Sequence, residues 1–133
     1  MAGAVLDTHA ALWYVTGDPR LSKSALESIE SAISAGEPCL VPSICMVEAT
    51  YLVEKNRIPQ QSFRFLLSLL RDPSSGLRMS PLDFPVCEAL ARVSRDDVPD
   101  LPDRIIAATA SAFDLPLVTR DGKIRSSGIR TIW

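Results

Sequence analysis

Three short apolar runs, Ala4-Val5-Leu6, Cys39-Leu40-Val41 and Leu117-Val118-Thr119, are separated by segments whose apolar residues recur at helical spacing. Strand-length runs alternating with amphipathic helical stretches call for parallel strands joined by crossover helices. The pattern predicts an α/β fold around a mostly parallel sheet. The chain has 133 residues, the size of one domain, and no repeat, low-complexity tract or linker interrupts it. Residues 1–133 are therefore expected to form one unit. Apolar residues make up 47% and charged residues 23%, which favours a packed core over disorder.

Local signals place the elements between these strands. Ser22 is expected to open a helix with apolar positions Leu26, Ile29 and Ile33, closed by Gly36. Ser43 is expected to cap a helix running to about Lys55, and Pro59 to open another with Phe63, Leu66, Leu67 and Leu70 on one face. Leu77-Arg78-Met79 reads as a short strand. Val86, Leu90 and Val93 mark a helix from near Asp83, Pro102 begins one through Phe113, and Ile129 to Trp133 reads as the last strand.

Several function classes are excluded early. No apolar run approaches the roughly 18–20 residues of a membrane span. The opening Met1-Ala2-Gly3-Ala4-Val5-Leu6-Asp7 lacks the basic region of a signal peptide. Cys39, Cys45 and Cys87 are odd in number, show no C-x-x-C spacing and sit among apolar residues, so reduced core thiols in a cytoplasmic protein are expected. The net charge of −2 does not by itself advertise nucleic acid.

The positions of five acids carry the chemistry. Ligands of an open parallel sheet bind at the carboxyl ends of its strands. Asp7 directly follows the first strand, and Asp121 closely follows the Leu117–Thr119 strand. Asp100 and Asp103 fall at the start of the Pro102 helix, three residues apart and so on one face. Glu48 lies five residues into the Ser43 helix, about 7 Å below the edge at roughly 1.5 Å per residue, and a helical side chain tilts back toward the N-terminus. Carboxylates gathered in one cleft repel one another, and must take up protons or hold a cation. A hard divalent ion, Mg²⁺ or Mn²⁺, suits all-oxygen ligands and the chemistry of phosphodiester displacement. Each acid also has an ordinary explanation. Asp100 is a possible N-cap, Asp103 a favourable first-turn charge, Asp121 a turn residue and Glu48 a solvent-facing side chain. Asp7 interrupts an apolar run with no obvious turn. Spacing alone leaves the shared site and these alternatives open.

The same residues carry a resemblance. Leu6-Asp7-Thr8-His9-Ala10-Ala11-Leu12-Trp13 resembles the opening of PIN domains of the VapC toxin type. Ser43 to Ile58 resembles their second motif, Pro99 to Ala110 the third, Leu115 to Asp121 the fourth, and Gly128 to Trp133 their ending. The likeness spans nearly the whole chain in order. Val47 departs from it, since many relatives carry tryptophan just before the Glu. The resemblance implies a single PIN-like domain and an endoribonuclease using Mg²⁺ or Mn²⁺. It implies Asp7, Glu48 and Asp103 as core acids, Asp121 as the fourth and Asp100 as a further metal-site acid. Thr119 and Thr8 would orient their neighbours. Implied partners are RNA, a VapB-like antitoxin and a second copy of the chain.

Basic residues near the same edge, Arg104, Arg120, Lys123 and Arg125, are candidates for RNA phosphate contact, with a solvated, charge-balanced surface as the ordinary alternative. His9 is the only histidine, which excludes a two-histidine nuclease, and it reads as structural, as do Trp13 and Tyr14. Phe63, Phe65, Leu66, Leu67, Leu69 and Leu70 nearly encircle their helix and suggest either burial or a partner. Two rivals differ in function. A receiver-like signalling domain also gathers acids around Mg²⁺, but wants paired acids after its first strand, where Asp7 stands alone. An RNA-processing PIN nuclease without an antitoxin has the same residues.

Overall fold

The computed structural model describes residues 1–133. Five strands, β1 (Ala4–Leu6), β2 (Cys39–Pro42), β3 (Leu77–Ser80), β4 (Leu117–Val118) and β5 (Thr131–Ile132), form one sheet in the order β3-β2-β1-β4-β5. Every neighbouring pair is parallel. Helices occupy the connections: α1 (Thr8–Thr16) and α2 (Lys23–Ser34) after β1, and α3 (Ile44–Glu54) and α4 (Gln60–Arg71) after β2. After β3 come α5 (Phe84–Ala89), a 3₁₀ turn (Leu90–Arg92) and α6 (Leu101–Phe113), and a one-turn α7 (Gly122–Arg125) links β4 to β5.

The central strand is β1, whose three residues are all buried. Such a strand cannot alternate polar and apolar side chains, because helices cover both of its faces. Val5, Leu6, Val41, Leu66, Ile106, Leu117 and Val118 are fully buried in the core around it. Each such side chain contributes about 1.5–3 kcal/mol relative to exposure. The chain first moves outward from β1 to β2 and β3, then returns to place β4 on the other side of β1. The strand order thus reverses between β1 and β4, and the crevice beyond their carboxyl ends is where such sheets bind ligands.

Several local expectations change. Ser43 does not cap α3: its backbone is already helical and its hydroxyl accepts from Leu82 N at 3.1 Å. The expected helix through Val93 stops at Ala89 and tightens into the 3₁₀ turn. The last strand is two residues long and not five. Leu26, on the apolar stripe of α2, is exposed, and so is Phe65 on α4. Cys39 and Cys45 are buried, but Cys87 is exposed on α5 and is not a core thiol.

Candidate metal centre

Three of the five acids are helix N-caps, and capping is what aims them. Asp7 Oδ1 accepts from Ala10 N at 2.8 Å at the start of α1. Asp100 Oδ2 accepts from Asp103 N at 3.1 Å at the start of α6, where Pro102 lacks an N–H that the first turn does not need. Asp121 Oδ1 accepts from Lys123 N at 2.9 Å and Ile124 N at 3.0 Å at the start of α7. In each case the second carboxylate oxygen takes no part in the cap. Cap and ligand are therefore not competing roles for these residues: the ordinary explanation of Asp100 and Asp121 as caps holds and leaves one oxygen of each uncommitted to the cap. Asp7, for which the sequence offered no local reason, has one in the same form.

Helices α3 and α6 pack against each other, and α6 packs against β1. This contact brings the middle of α3 to the start of α6. Asp7, Thr8, Glu48, Asp100, Asp103 and Asp121 line one cleft of about 350 Å³, with His9, Trp13, Ile106 and Arg120 completing its wall. Ligand oxygens of Glu48, Asp100 and Asp103 all lie within 4.8 Å of one another. Opposite ligands of an octahedral Mg²⁺ are about 4.2 Å apart, twice a bond of roughly 2.1 Å, so a small inward shift fits the trio to one ion. Asp7 and Asp121 share the cleft but fall outside this trio.

Two threonines orient the acids. Thr8 is buried, and its hydroxyl donates to Glu48 Oε1 at 2.6 Å. Thr119 is fully buried and its oxygen accepts from Asp121 N at 3.0 Å, while its hydroxyl stands beside Asp7, where it favours the ionised carboxylate. One side chain thus bears on both the acid after β1 and the acid after β4.

The electrostatics agree with the geometry. Burial pushes the Asp7 carboxyl above its ordinary value; the Thr119 and Ala10 hydrogen bonds oppose the shift, and Asp121 adds to it. Burial likewise raises Glu48, with Thr8 opposing and Asp100 and Asp7 adding. Asp103 is pushed up to about 7, first by burial and then by Asp100, Asp121, Glu48 and Asp7. A cluster of carboxylates that resist ionising together is one that a cation relieves. All its donors are oxygens, which suits a hard divalent ion. Cys45 lies behind the cleft with its Sγ 3.9 Å from Leu6 O, and burial raises its thiol so far that it remains protonated and offers no competing soft ligand.

The basic candidates divide. Arg120 lines the cleft. Arg104 does not: its Nε donates to Val93 O at 2.9 Å and an Nη donates to Leu90 O at 3.2 Å, so it fastens the segment after the 3₁₀ turn. Adjacency to Asp103 put it forward in the sequence, but successive helical residues point about 100° apart. Lys123 and Arg125 lie on α7, beyond the cap made by Asp121. Sequence reasoning missed His9 and Trp13, both at the cleft wall. They lie four residues apart on α1, one turn from the capping Asp7, and that spacing was the available signal.

A wholly parallel α/β domain with a carboxylate cleft at its topological switch point defines the class of open-sheet folds that take ligands at the strand ends. Residues 4–128 match the PIN domain family. The chain is 31% identical over 126 residues to Ribonuclease VapC22 of Mycobacterium tuberculosis, covering 95% of this chain and 92% of that protein. Its fold is similar to that of VapBC2 from Rickettsia felis bound to a promoter DNA fragment, with a TM-score of 0.70 at 19% identity and 96% of each chain covered. It is also similar to DNA-bound VapBC from Salmonella typhimurium, with a TM-score of 0.68 at 19% identity, covering 98% of this chain and 97% of that one. FitAcB from Neisseria gonorrhoeae gives a TM-score of 0.63 at 21% identity over 96% and 95%. The chain belongs to the PIN domain family. That membership removes the receiver-like alternative.

Proposed function

We propose that residues 1–133 act as one nuclease domain, a divalent-metal-dependent endoribonuclease that serves as the toxin of a VapBC-type pair. The observation that carries this reading is the convergence of Glu48, Asp100 and Asp103 to within 4.8 Å in a cleft that also holds Asp7 and Asp121. A relative at 31% identity named as a VapC ribonuclease supports the choice of RNA.

Glu48, Asp100 and Asp103 would hold the ion, and Asp7 and Asp121 line the same cleft. Bound there, Mg²⁺ or Mn²⁺ supplies Lewis acidity toward a phosphate oxygen and toward the attacking water. The chain's own residues prepare the ground. Thr8 fixes the rotamer of Glu48, and Thr119 anchors the backbone at Asp121 while its hydroxyl favours the ionised form of Asp7. Burial and the neighbouring carboxylates push Asp103 up to about 7, and a cation held here would favour its ionised form. Burial lowers the pKa of the His9 imidazole, with Glu48 opposing and Arg120 and Arg20 adding to the shift, which favours the neutral ring. Arg120, Lys123 and Arg125 meet RNA phosphates, offsetting the repulsion between RNA and the acids.

The partners follow from the same reading. A VapB-like antitoxin inhibits by sending a basic side chain among the carboxylates, and the toxin pairs with a second copy of itself. Solved relatives are toxin–antitoxin complexes, which supports this assignment over an RNA-processing nuclease without an antitoxin. No helix of the chain is long and apolar enough to cross a membrane. We place the enzyme in the cytoplasm with its RNA.

The test is cleavage of RNA by the purified protein in Mg²⁺ or Mn²⁺. The reading expects hydrolysis that EDTA abolishes and that Asp7→Asn slows by orders of magnitude. Metal-independent cleavage, or none under any divalent ion, contradicts it.

A further inference from the structure

Trp13 is buried at the wall of the acidic cleft, and two guanidinium groups lie against its ring. Arg20 Cζ is 4.9 Å from the ring centroid and Arg120 Cζ is 4.6 Å from it. The two arginines are otherwise unlike. Arg20 Nε and an Nη donate to the Asp18 carboxylate at 3.0 and 2.8 Å, so its forked donors are already engaged. This pair is set by the end of α1, where Gly17 adopts a left-handed conformation and Asp18 N returns to Trp13 O at 2.9 Å. Arg120 lines the cleft and is exposed, yet it joins none of the three ion pairs of the chain and its side chain makes no hydrogen bond within the protein.

A guanidinium beside five carboxylates would ordinarily collapse onto one of them, because a planar fork and a carboxylate match in shape and charge. The indole offers Arg120 a different seat. Attraction between the cation and the face of the ring holds it there and leaves its N–H groups without a protein acceptor. Trp13 is in turn held by Trp133, edge-on at 5.9 Å and 60°. A rigid ring thus fixes a cation at the lip of an anionic cleft, with donors directed to neither backbone nor side chain.

We propose that Arg120 forms a phosphate subsite for the RNA strand next to the metal centre, and that Trp13 is the positioning residue that keeps its guanidinium off the carboxylates. The ligand class is a phosphodiester oxygen of a single-stranded polynucleotide. The subsite rests on the nuclease reading above only in naming RNA as its ligand. Lys123 and Arg125 lack such a seat, so their phosphate contacts are diffuse while that of Arg120 is fixed.

The experiment compares wild type, Arg120→Ala, Trp13→Leu and the double variant. Binding of a fluorescent single-stranded RNA in Ca²⁺ is followed across salt concentrations, with cleavage in Mn²⁺ measured in parallel. Arg120→Ala is expected to weaken RNA binding about tenfold, the scale of one charge-assisted hydrogen-bonded contact. It should also reduce the magnitude of the salt slope by about 0.7, the value for one phosphate on a single strand. KM rises by a similar factor while kcat and the Mn²⁺ affinity stay within about twofold, since the metal acids are untouched. Trp13→Leu is expected to reproduce the rise in KM, Trp13→Phe to recover much of it, and the double variant to be no worse than Arg120→Ala alone. Should Trp13→Leu fail to fold, Trp13→Met, which also lacks a π face for the guanidinium, takes its place in the cycle. Unchanged RNA affinity and salt slope in Arg120→Ala overturn the subsite. Additive effects of the two substitutions overturn the positioning role of Trp13. If wild type binds RNA through Arg120 but leaves it intact in every divalent ion, the hydrolytic reading falls and the subsite stands.

Discussion

The hydroxyl of Thr8 donates to Glu48 Oε1 at 2.6 Å, joining the first residue of α1 to the middle of α3 across forty positions of sequence. Glu48 and Asp103 are the two acids of the cleft that cap no helix, and of these only Glu48 lies in the middle of one, away from the polar groups of a helix start. Thr8 supplies a constraint from the strand-to-helix junction that also presents Asp7.

Replacing Thr8 by valine keeps the shape and removes the donor. The loss of such an orienting hydrogen bond weakens metal affinity by about 10–100-fold in comparable sites. Thr8→Val should therefore raise the Mn²⁺ Kd within that range, measured by calorimetry, and Thr8→Ser should restore most of it. An unchanged Kd in Thr8→Val would show that Glu48 is oriented by something else.

Stability of the metal-free protein should fall as pH rises from 5 to 8. The folded pKa of Asp103 is about 7 against an ordinary 3.8, so between these values the native state binds more protons than the unfolded one. The stabilising proton is fully present below about 4 and is lost as pH passes through 7, which makes the slope negative across that window. Asp7 and Glu48, shifted in the same direction, act with the same sign. Thermal melts should show Tm decreasing toward pH 8 in EDTA, the decrease shrinking in Asp103→Asn and reversing with excess Mn²⁺.

Arg104 should matter for stability and not for RNA. Its guanidinium holds the Leu90 and Val93 carbonyls, and losing a charged donor to partly buried carbonyls costs about 1–3 kcal/mol. Urea denaturation of Arg104→Ala should show a loss of that order with Mn²⁺ affinity retained. A tenfold drop in RNA affinity without destabilisation would return Arg104 to the substrate surface.

The thiols should react one at a time. Cys87 is exposed, while Cys39 and Cys45 are buried and burial raises both thiols, Cys39 to about 11. A thiol reagent should modify one residue of the native protein within minutes and three after denaturation, with Cys87→Ser abolishing the fast phase.

Much of this was legible in the chain. The buried strands β1, β2 and β4 are apolar without interruption, and the acids following them can only emerge at one edge of a parallel sheet. Helix α6 was bounded by Asp100, Pro102 and the end of the apolar pattern at Phe113. What stayed hidden depends on contacts between elements. The α5 region looks periodic through Val93, but Arg104 takes hold of the Leu90 and Val93 carbonyls, and no local signal announces a donor fourteen residues away. Ser43 looks like an N-cap, yet its hydroxyl is engaged by Leu82 N from beyond β3. In the site itself, spacing pointed to five acids and the resemblance implied Asp7, Glu48 and Asp103 as their core, whereas the tight trio contains Asp100 in place of Asp7. The difference is set by how α3 meets α6, a packing geometry that residue order does not contain. Trp13 reads as structural in the sequence and is buried as such, and its second role follows only from which arginines cover it.

Titration of Mn²⁺ into the metal-free protein at pH 7.5 or above, followed by calorimetry, bears most directly on whether one cation gathers these acids. The wild-type protein should bind Mn²⁺ at the cleft with proton release, and Asp103→Asn and Glu48→Gln should each weaken that binding by at least about tenfold. Equal Mn²⁺ affinity in wild type and both variants would mean that the carboxylates meet in space without sharing an ion.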